Sequence, residues 1–106
     1  MVIIKSIREL EGEPHANAFP NEEPKTIRLT LAEGEHVESH DHPDRDIVLY
    51  LISGTLELRL DGEPHQVREG DVVHFDGAQD ISPVATSGCT ALLVLALKSD
   101  ESTVGG

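Results

Sequence analysis

The chain has 106 residues, with 20 acidic and 8 basic side chains, a formal net charge of −12, two phenylalanines, one tyrosine and no tryptophan. Because so negative a surface repels phosphate groups, the composition excludes nucleic-acid binding through a basic patch and argues against docking on anionic lipid. The length predicts one domain with a modest core of Val, Ile, Leu and Ala, and such a core gains from burial against a second copy, so we expect a homodimer.

Several features of the sequence favour a cytoplasmic protein. No run approaches the ~18 apolar residues of a membrane span, and the start "MVIIKSIREL" carries charges and lacks the cleavage site of a secretory signal. The single cysteine, Cys89, excludes an internal disulfide framework and fits a reducing compartment. The scattered acid excess is also typical of a protein from a salt-loving organism, where high ionic strength screens self-repulsion.

The amino-terminal part, residues 1–25, is predicted to hold one strand followed by an extended arm. The arm, "RELEGEPHANAFPNEEPK", contains three prolines and five glutamates, a composition that favours irregular backbone. His15 lies in this arm, and we interpret it as a solvated loop histidine.

Strand patterns recur through residues 26–98, which we predict to be the folded barrel. Apolar and polar residues alternate in "TIRLTLAEG" and in "TLELRLDGEPHQV", and the second stretch turns at Asp61-Gly62, a hairpin pair. Further apolar strands are predicted in "DIVLYLISG", "GDVVHF" and "CTALLVLAL". Short strands separated by turns every ~8–12 residues predict an all-β sandwich or barrel. Residues 99–106 are predicted to be a disordered tail.

Two histidines, His40 and His42, stand one residue apart in "ESHDHPDRDIVLYLISG", just before an apolar strand. Gly34, five residues, His40, one residue, His42 and then an acid resemble the first motif of the cupin superfamily. The stretch "VREGDVVHFDGAQDISPV" is similar to its second motif. The resemblance spans residues 26–97 and is closest to small single-domain cupins. It implies an all-β double-stranded β-helix, the cupin jelly-roll barrel, which usually forms dimers.

The same resemblance implies a metal site. In metal-bearing cupins three histidines and one glutamate from the two motifs hold a divalent ion, and His40 and His42 match the first two ligands. Residues i and i+2 of a strand face the same side about 6–7 Å apart, so two imidazoles at that spacing can converge on one ion. The cofactor implied is a divalent ion of Fe, Mn, Ni or Zn.

The other two ligands depart from the family pattern. Counting forward from His42 places the acid at Asp46, whereas counting back from the glycine at the end of the strand places that position at Ile47. Strand alternation turns only one of these two side chains inward, and the second count favours Ile47 unless a bulge resets the register. The histidine position of the second motif holds Ile81, which cannot bind metal. His74 remains as a candidate ligand, although a partly exposed strand histidine is the simpler interpretation.

Three functions therefore stay open. A reduced site of His40, His42 and Asp46 would hold a metal with open positions, as in a dioxygenase or isomerase acting on a small polar metabolite. A pocket without metal would bind a small molecule, with Tyr50 as a further candidate contact, although a tyrosine that satisfies its own hydrogen bond is the simpler interpretation. Lastly, the histidines would only form hydrogen bonds at a polar pocket mouth. The sequence assigns no catalytic residue.

Overall fold

The computed structural model describes residues 1–99, and apart from one short 3-10 turn at Ile7–Glu9 its regular elements are strands. They are β1 His15–Asn17, β2 Lys25–Leu31, β3 Arg45–Ser53, β4 Thr55–Leu60, β5 Glu63–Arg68, β6 Val72–Asp76, β7 Ile81–Ala85 and β8 Cys89–Leu97. Within these residues no helix has the length and apolar character needed to cross a bilayer. Apart from Ser99, the predicted tail 99–106 lies outside the described residues.

Two antiparallel sheets face each other. Their strand orders are β1-β2-β8-β3-β6 and β5-β4-β7, so most neighbours in space are distant in sequence, as in a jelly roll. The β4–β5 hairpin turns at Asp61 and Gly62, whose φ angles of 52° and 80° are those of the turn type that such a pair favours. The predicted all-β jelly-roll fold and this hairpin are confirmed.

The core lies between the two sheets and is almost entirely aliphatic. Burial alternates along β4, where Leu56, Leu58 and Leu60 point inward and Arg59 is exposed. The largest fully buried side chains are those of Leu29, Ile47, Leu49, Leu51, Leu56, Leu58 and Val67. Cys89 lies among the core residues, and burial raises the pKa of its thiol. A core of this composition follows from the scarcity of aromatic residues.

The strand of the amino-terminal part is β1, whereas residues 1–6 form none. β1 runs antiparallel to β2, with His15 opposite Leu29, and Ala16 is buried. Two further backbone hydrogen bonds extend this pairing, one to the carbonyl of Thr26 and one from the N–H of Thr30, both 2.8 Å long. His15 is therefore held on the edge of a sheet, and its interpretation as a loop histidine is corrected.

Two arginines fasten the arm to the barrel. Arg28 is buried, and its guanidinium donates hydrogen bonds of 2.7–3.0 Å to three carbonyl oxygens of the amino-terminal part, those of Ile7, Leu10 and Gly12. Arg45 donates to both carboxylate oxygens of Glu23, at 2.6 and 3.2 Å. Because planar guanidinium groups suit such multiple contacts, the arm has a defined course across the sheet.

The outer face of the five-stranded sheet carries exposed apolar side chains. Tyr50 of β3 pairs with Val72 of β6, and Val48 pairs with His74, so these residues form one patch. The homodimer that the composition suggests stays a prediction, which sedimentation equilibrium of the purified protein would test.

Candidate functional site

The connection between β2 and β3 carries His40 and His42 and is bound to β7. The N–H of His40 donates to the carbonyl of Ile81 at 3.1 Å, and the N–H of Ile81 donates back to the carbonyl of His40 at 2.7 Å. The two imidazole centroids lie 5.0 Å apart, with the ring planes 84° from parallel. Backbone pairing thus holds both histidines at one end of the barrel, with the two rings edge to face.

The turn between β6 and β7 fixes His42 from the other side. The His42 N–H donates to the Gly77 carbonyl at 2.7 Å, and the Gly77 N–H donates to the Arg45 carbonyl at 2.9 Å. A Cβ atom at position 77 would overlap the carbonyl oxygens of both His42 and Arg45. Only glycine allows so close an approach, so this turn and the histidine connection are locked together.

A backbone contact sets the tautomer of neutral His40. Its Nδ1 lies 2.8 Å from the carbonyl oxygen of Glu38. Because a carbonyl oxygen only accepts hydrogen bonds, Nδ1 must carry the proton. In the neutral ring Nε2 is then unprotonated and can accept a hydrogen bond from a ligand.

A cavity opens beside these histidines. Its inner part has a volume of about 40 Å³ and an apolar wall that includes Ile47, Phe75, Ile81, Leu93 and Leu95. Its outer part is an open cleft of about 460 Å³ whose lining includes Lys25, Glu38 and Ser39. The two parts share four lining residues, which are His15, Ile27, His40 and His42. They therefore form one site with an apolar floor and a polar mouth, hereafter the barrel pocket.

His15 is the member of this site that the sequence prediction missed. It reaches the mouth because β1 pairs with β2, and although much of it stays exposed, partial burial lowers its pKa, with His40 and Lys25 adding to the effect. Burial, His40 and Lys25 lower the pKa of His42 in the same order. The signal that could have found His15 is the alternation in "HANA", where buried alanines follow polar residues.

These lowered pKa values predict an acid-sensitive fold. The unfolded chain, in which the histidine pKa is about 6.5, binds protons more readily than the folded chain. The contribution of His15 and His42 to stability is therefore complete above pH 6.5 and is lost as the pH falls through the lowered values. Urea unfolding at pH 7.5 and 5.5 measures it, and we expect a smaller pH difference in the His15→Asn/His42→Asn variant. An unchanged pH difference would contradict this assignment.

Asp46, His74 and Tyr50 lie outside the barrel pocket. Burial alternates along β3, so that Ile47 is buried while Tyr50 is exposed. Asp46 pairs with Asp76, and His74 is exposed on the neighbouring strand. The ladder between β3 and β8 is regular from position 45 to 51, so no bulge turns Asp46 inward. The inward orientation of Ile47 is confirmed, and the structure places Asp46 and His74 outside the lining of the cavity that His40 and His42 share.

The barrel pocket does not fit the four-ligand metal site. His40 and His42 are present, but Ile47 and Ile81, 1% and 4% exposed, occupy the wall where the carboxylate and a further imidazole are expected. Within residues 1–99 no group of three or more His, Cys, Asp or Glu side chains is arranged to hold a metal ion. Side chains without donor atoms cannot complete a coordination sphere. The arrangement instead suits a molecule with an apolar body and a polar head.

Comparisons with known proteins agree with this fold. A family model described as a cupin domain matches residues 27–94. Among curated proteins, none matches the sequence.

Solved structures resemble most of the chain. A RmlC-like cupin from Shewanella frigidimarina has a TM-score of 0.75 at 16% identity, over 95% of this chain and 96% of that one. The cupin domain of an XRE-family transcriptional regulator from Enterobacter cloacae has a TM-score of 0.73 at 23% identity, over 80% and 96%. A predicted oxalate decarboxylase from Thermotoga maritima has a TM-score of 0.70 at 22% identity, over 79% of each chain. At these identities the likeness shows the fold.

Proposed function

The chain belongs to the cupin domain family, and from this premise we propose that its barrel binds a small organic molecule without a resident metal ion. One observation carries the proposal. Two isoleucines, Ile47 and Ile81, line the inner cavity at the positions where metal-bearing cupins place ligands. Replacing donor atoms by branched hydrocarbon removes metal affinity and adds apolar surface that a ligand can cover.

The two parts of the barrel pocket suit the two parts of such a ligand. The inner cavity of about 40 Å³ exceeds the space that one water needs, and its apolar wall offers that water few partners. An apolar group that displaces water there gains about 0.8 kcal/mol for each buried methylene. The polar head would remain in the cleft, where His40 and His42 supply hydrogen bonds that fix its orientation.

The competing hypothesis is a metal-dependent cupin enzyme, a dioxygenase or isomerase that uses His40, His42 and Asp46. Its carboxylate lies on the opposite face of β3 from the barrel pocket. Elemental analysis after growth with Fe, Mn, Ni and Zn supplements separates the two hypotheses. The proposal expects less than about one-tenth of an equivalent of any of them, because an intact site would retain its ion. A full equivalent that is lost in His40→Ala would overturn the proposal and show a metal site, which the enzyme hypothesis requires.

A blocking substitution tests the binding site itself. Ile27 lines both parts of the barrel pocket and packs against the core while only partly buried, so Ile27→Trp is expected to narrow the mouth without replacing a fully buried side chain. Small apolar acids, alcohols and amides are titrated into labelled protein, and amide shifts are followed by NMR. We expect shifts at Ile47 and Ile81, and an affinity at least about tenfold weaker in Ile27→Trp, a loss of about 1.4 kcal/mol.

The matched control is Ile52→Trp. Ile52 is also partly buried but lines a separate surface cleft with Ser53 and Thr90. We expect this control to bind like the parent protein. Equal affinity in Ile27→Trp, or equal loss in both variants, would contradict the location of the site.

A further inference from the structure

We propose that the molecule bound in the barrel pocket is a small monocarboxylate with a short apolar body, and that Lys25 recognises its carboxylate. This inference rests on the proposed binding function and names its ligand class. It follows from the charges at the mouth of the pocket, from the lack of an ion pair on Lys25 among the described residues, and from the apolar wall of the inner cavity.

The mouth is much less acidic than the chain as a whole. The formal net charge is −12, yet the cleft-lining residues in the described part of the chain include one acid, Glu38, and one permanent cation, Lys25. The Glu38 side chain is 96% exposed, with its carboxylate 3.9 Å from the His36 imidazole. Because it is so fully hydrated, it opposes an anion in the cleft only weakly.

Lys25 is a cation without a fixed partner. It begins β2, opposite Leu95 of β8, and is partly buried. Among the residues that the structure describes it forms no ion pair; its charge helps to lower the pKa of the nearby Glu23 carboxylate, but that carboxylate is bound by Arg45 at 2.6 Å. The cation therefore remains available to an incoming anion. A partly desolvated lysine gains more from an anionic partner than a fully exposed lysine does.

The cation also stands close to the histidines. Its positive charge contributes to the lowered pKa of both His15 and His42. A carboxylate at the mouth would therefore lie within reach of Lys25 and of an N–H of His15 or His42, while carbon atoms attached to it enter the inner cavity. A second charged group on the part of the ligand that enters the inner cavity would be unpaired there and strongly disfavoured, so the body that enters is expected to be uncharged and the carboxylate to be the single charge bound.

Isosteric ligands test this inference. Isobutyrate and isobutyramide have nearly the same shape and differ in charge. NMR titrations of both are run on the parent protein, on Lys25→Met, and on Lys5→Met, which changes an exposed lysine that does not line the cleft. We expect isobutyrate to bind at least about tenfold more tightly than isobutyramide to the parent and to Lys5→Met. In Lys25→Met the two should bind with equal affinity.

The outcomes separate this inference from the function on which it rests. Equal binding of both ligands to the parent would overturn the preference for an anion and leave the pocket proposal standing. A preference that survives in Lys25→Met would overturn the role of Lys25. If neither ligand shifts the amides of Ile47 and Ile81 at 50 mM ligand (roughly the weak limit of such binding), both proposals fail.

Discussion

Replacing Ile47 with glutamate and Ile81 with histidine is expected to convert the barrel pocket into a metal site that retains about one equivalent of divalent ion. Both isoleucines line the cavity together with His40 and His42. The double variant would therefore bring three imidazoles and one carboxylate to a common space. That donor set suits Fe, Mn, Ni and Zn.

The same variant should be unstable without metal. Both positions are almost fully buried, so the new carboxylate and imidazole lose hydration and the core loses two aliphatic side chains. Together these changes cost on the order of 3–5 kcal/mol in the metal-free protein. Metal binding to the folded state recovers stability by mass action, so the melting temperature should rise steeply when Mn²⁺ or Zn²⁺ is added.

A variant with the carboxylate on the other face is the control. Val48 is the next residue of β3 and is exposed, so Val48→Glu/Ile81→His adds the same groups without bringing the carboxylate into the cavity. We expect this control to retain little metal, as measured by elemental analysis after dialysis. Equal retention in both double variants would show that the inward orientation of position 47 does not decide metal binding.

The second large effect is expected from Arg28→Met, which removes the hydrogen bonds that hold the arm. Methionine keeps much of the apolar stem, but three charge-assisted hydrogen bonds to carbonyl oxygens of the amino-terminal part are lost. Part of this loss is offset, because the Nε atom of Arg28 is buried without a partner and its removal relieves a desolvation cost of about 1–3 kcal/mol. We expect the free energy of unfolding to fall by about 2–3 kcal/mol.

The segment that becomes sensitive to protease distinguishes release of the arm from general destabilisation. Arm residues 8–24 should become sensitive to protease while the β2–β8 core stays resistant, because local release costs less than global unfolding. Arg59→Met is the matched control: Arg59 forms a surface ion pair with Glu57 at 2.6 Å, and its loss should cost less than about 0.5 kcal/mol. Equal urea midpoints for the two variants would argue against the role of Arg28.

The strands that position the barrel pocket could be predicted because their apolar alternation is local. The two counts that placed the carboxylate ligand in β3 differed by one residue, giving Asp46 or Ile47. Ile47 shares the buried face with the leucines that follow it at alternate positions, so the count that gave Ile47 is the correct one. The isoleucine at position 81 was visible in the sequence as the missing ligand. Most of the pocket wall could thus be predicted from the sequence.

The mouth of the barrel pocket could not be predicted from the sequence in the same way. β1 has three residues, too few for a periodic signal, and its place depends on pairing with a strand that begins eight residues after β1 ends. Arg28 lies at a polar position of β2, which predicts exposure, yet the arm crosses that face and buries it. Long-range strand pairing, and not the local alternation of apolar and polar residues, places His15 and Lys25 beside the same cleft.

The short strand β1 is also expected to limit aggregation of this protein. It occupies one edge of the five-stranded sheet, where an uncovered β2 would present the unpaired N–H and C=O groups of alternate residues along its length, the others being paired with β8. Such an edge is a template on which another chain can add a strand, the first step of aggregation. The residues that bring His15 to the mouth of the barrel pocket also cover part of the β2 edge, so ligand binding and resistance to aggregation are both expected to depend on this one short strand.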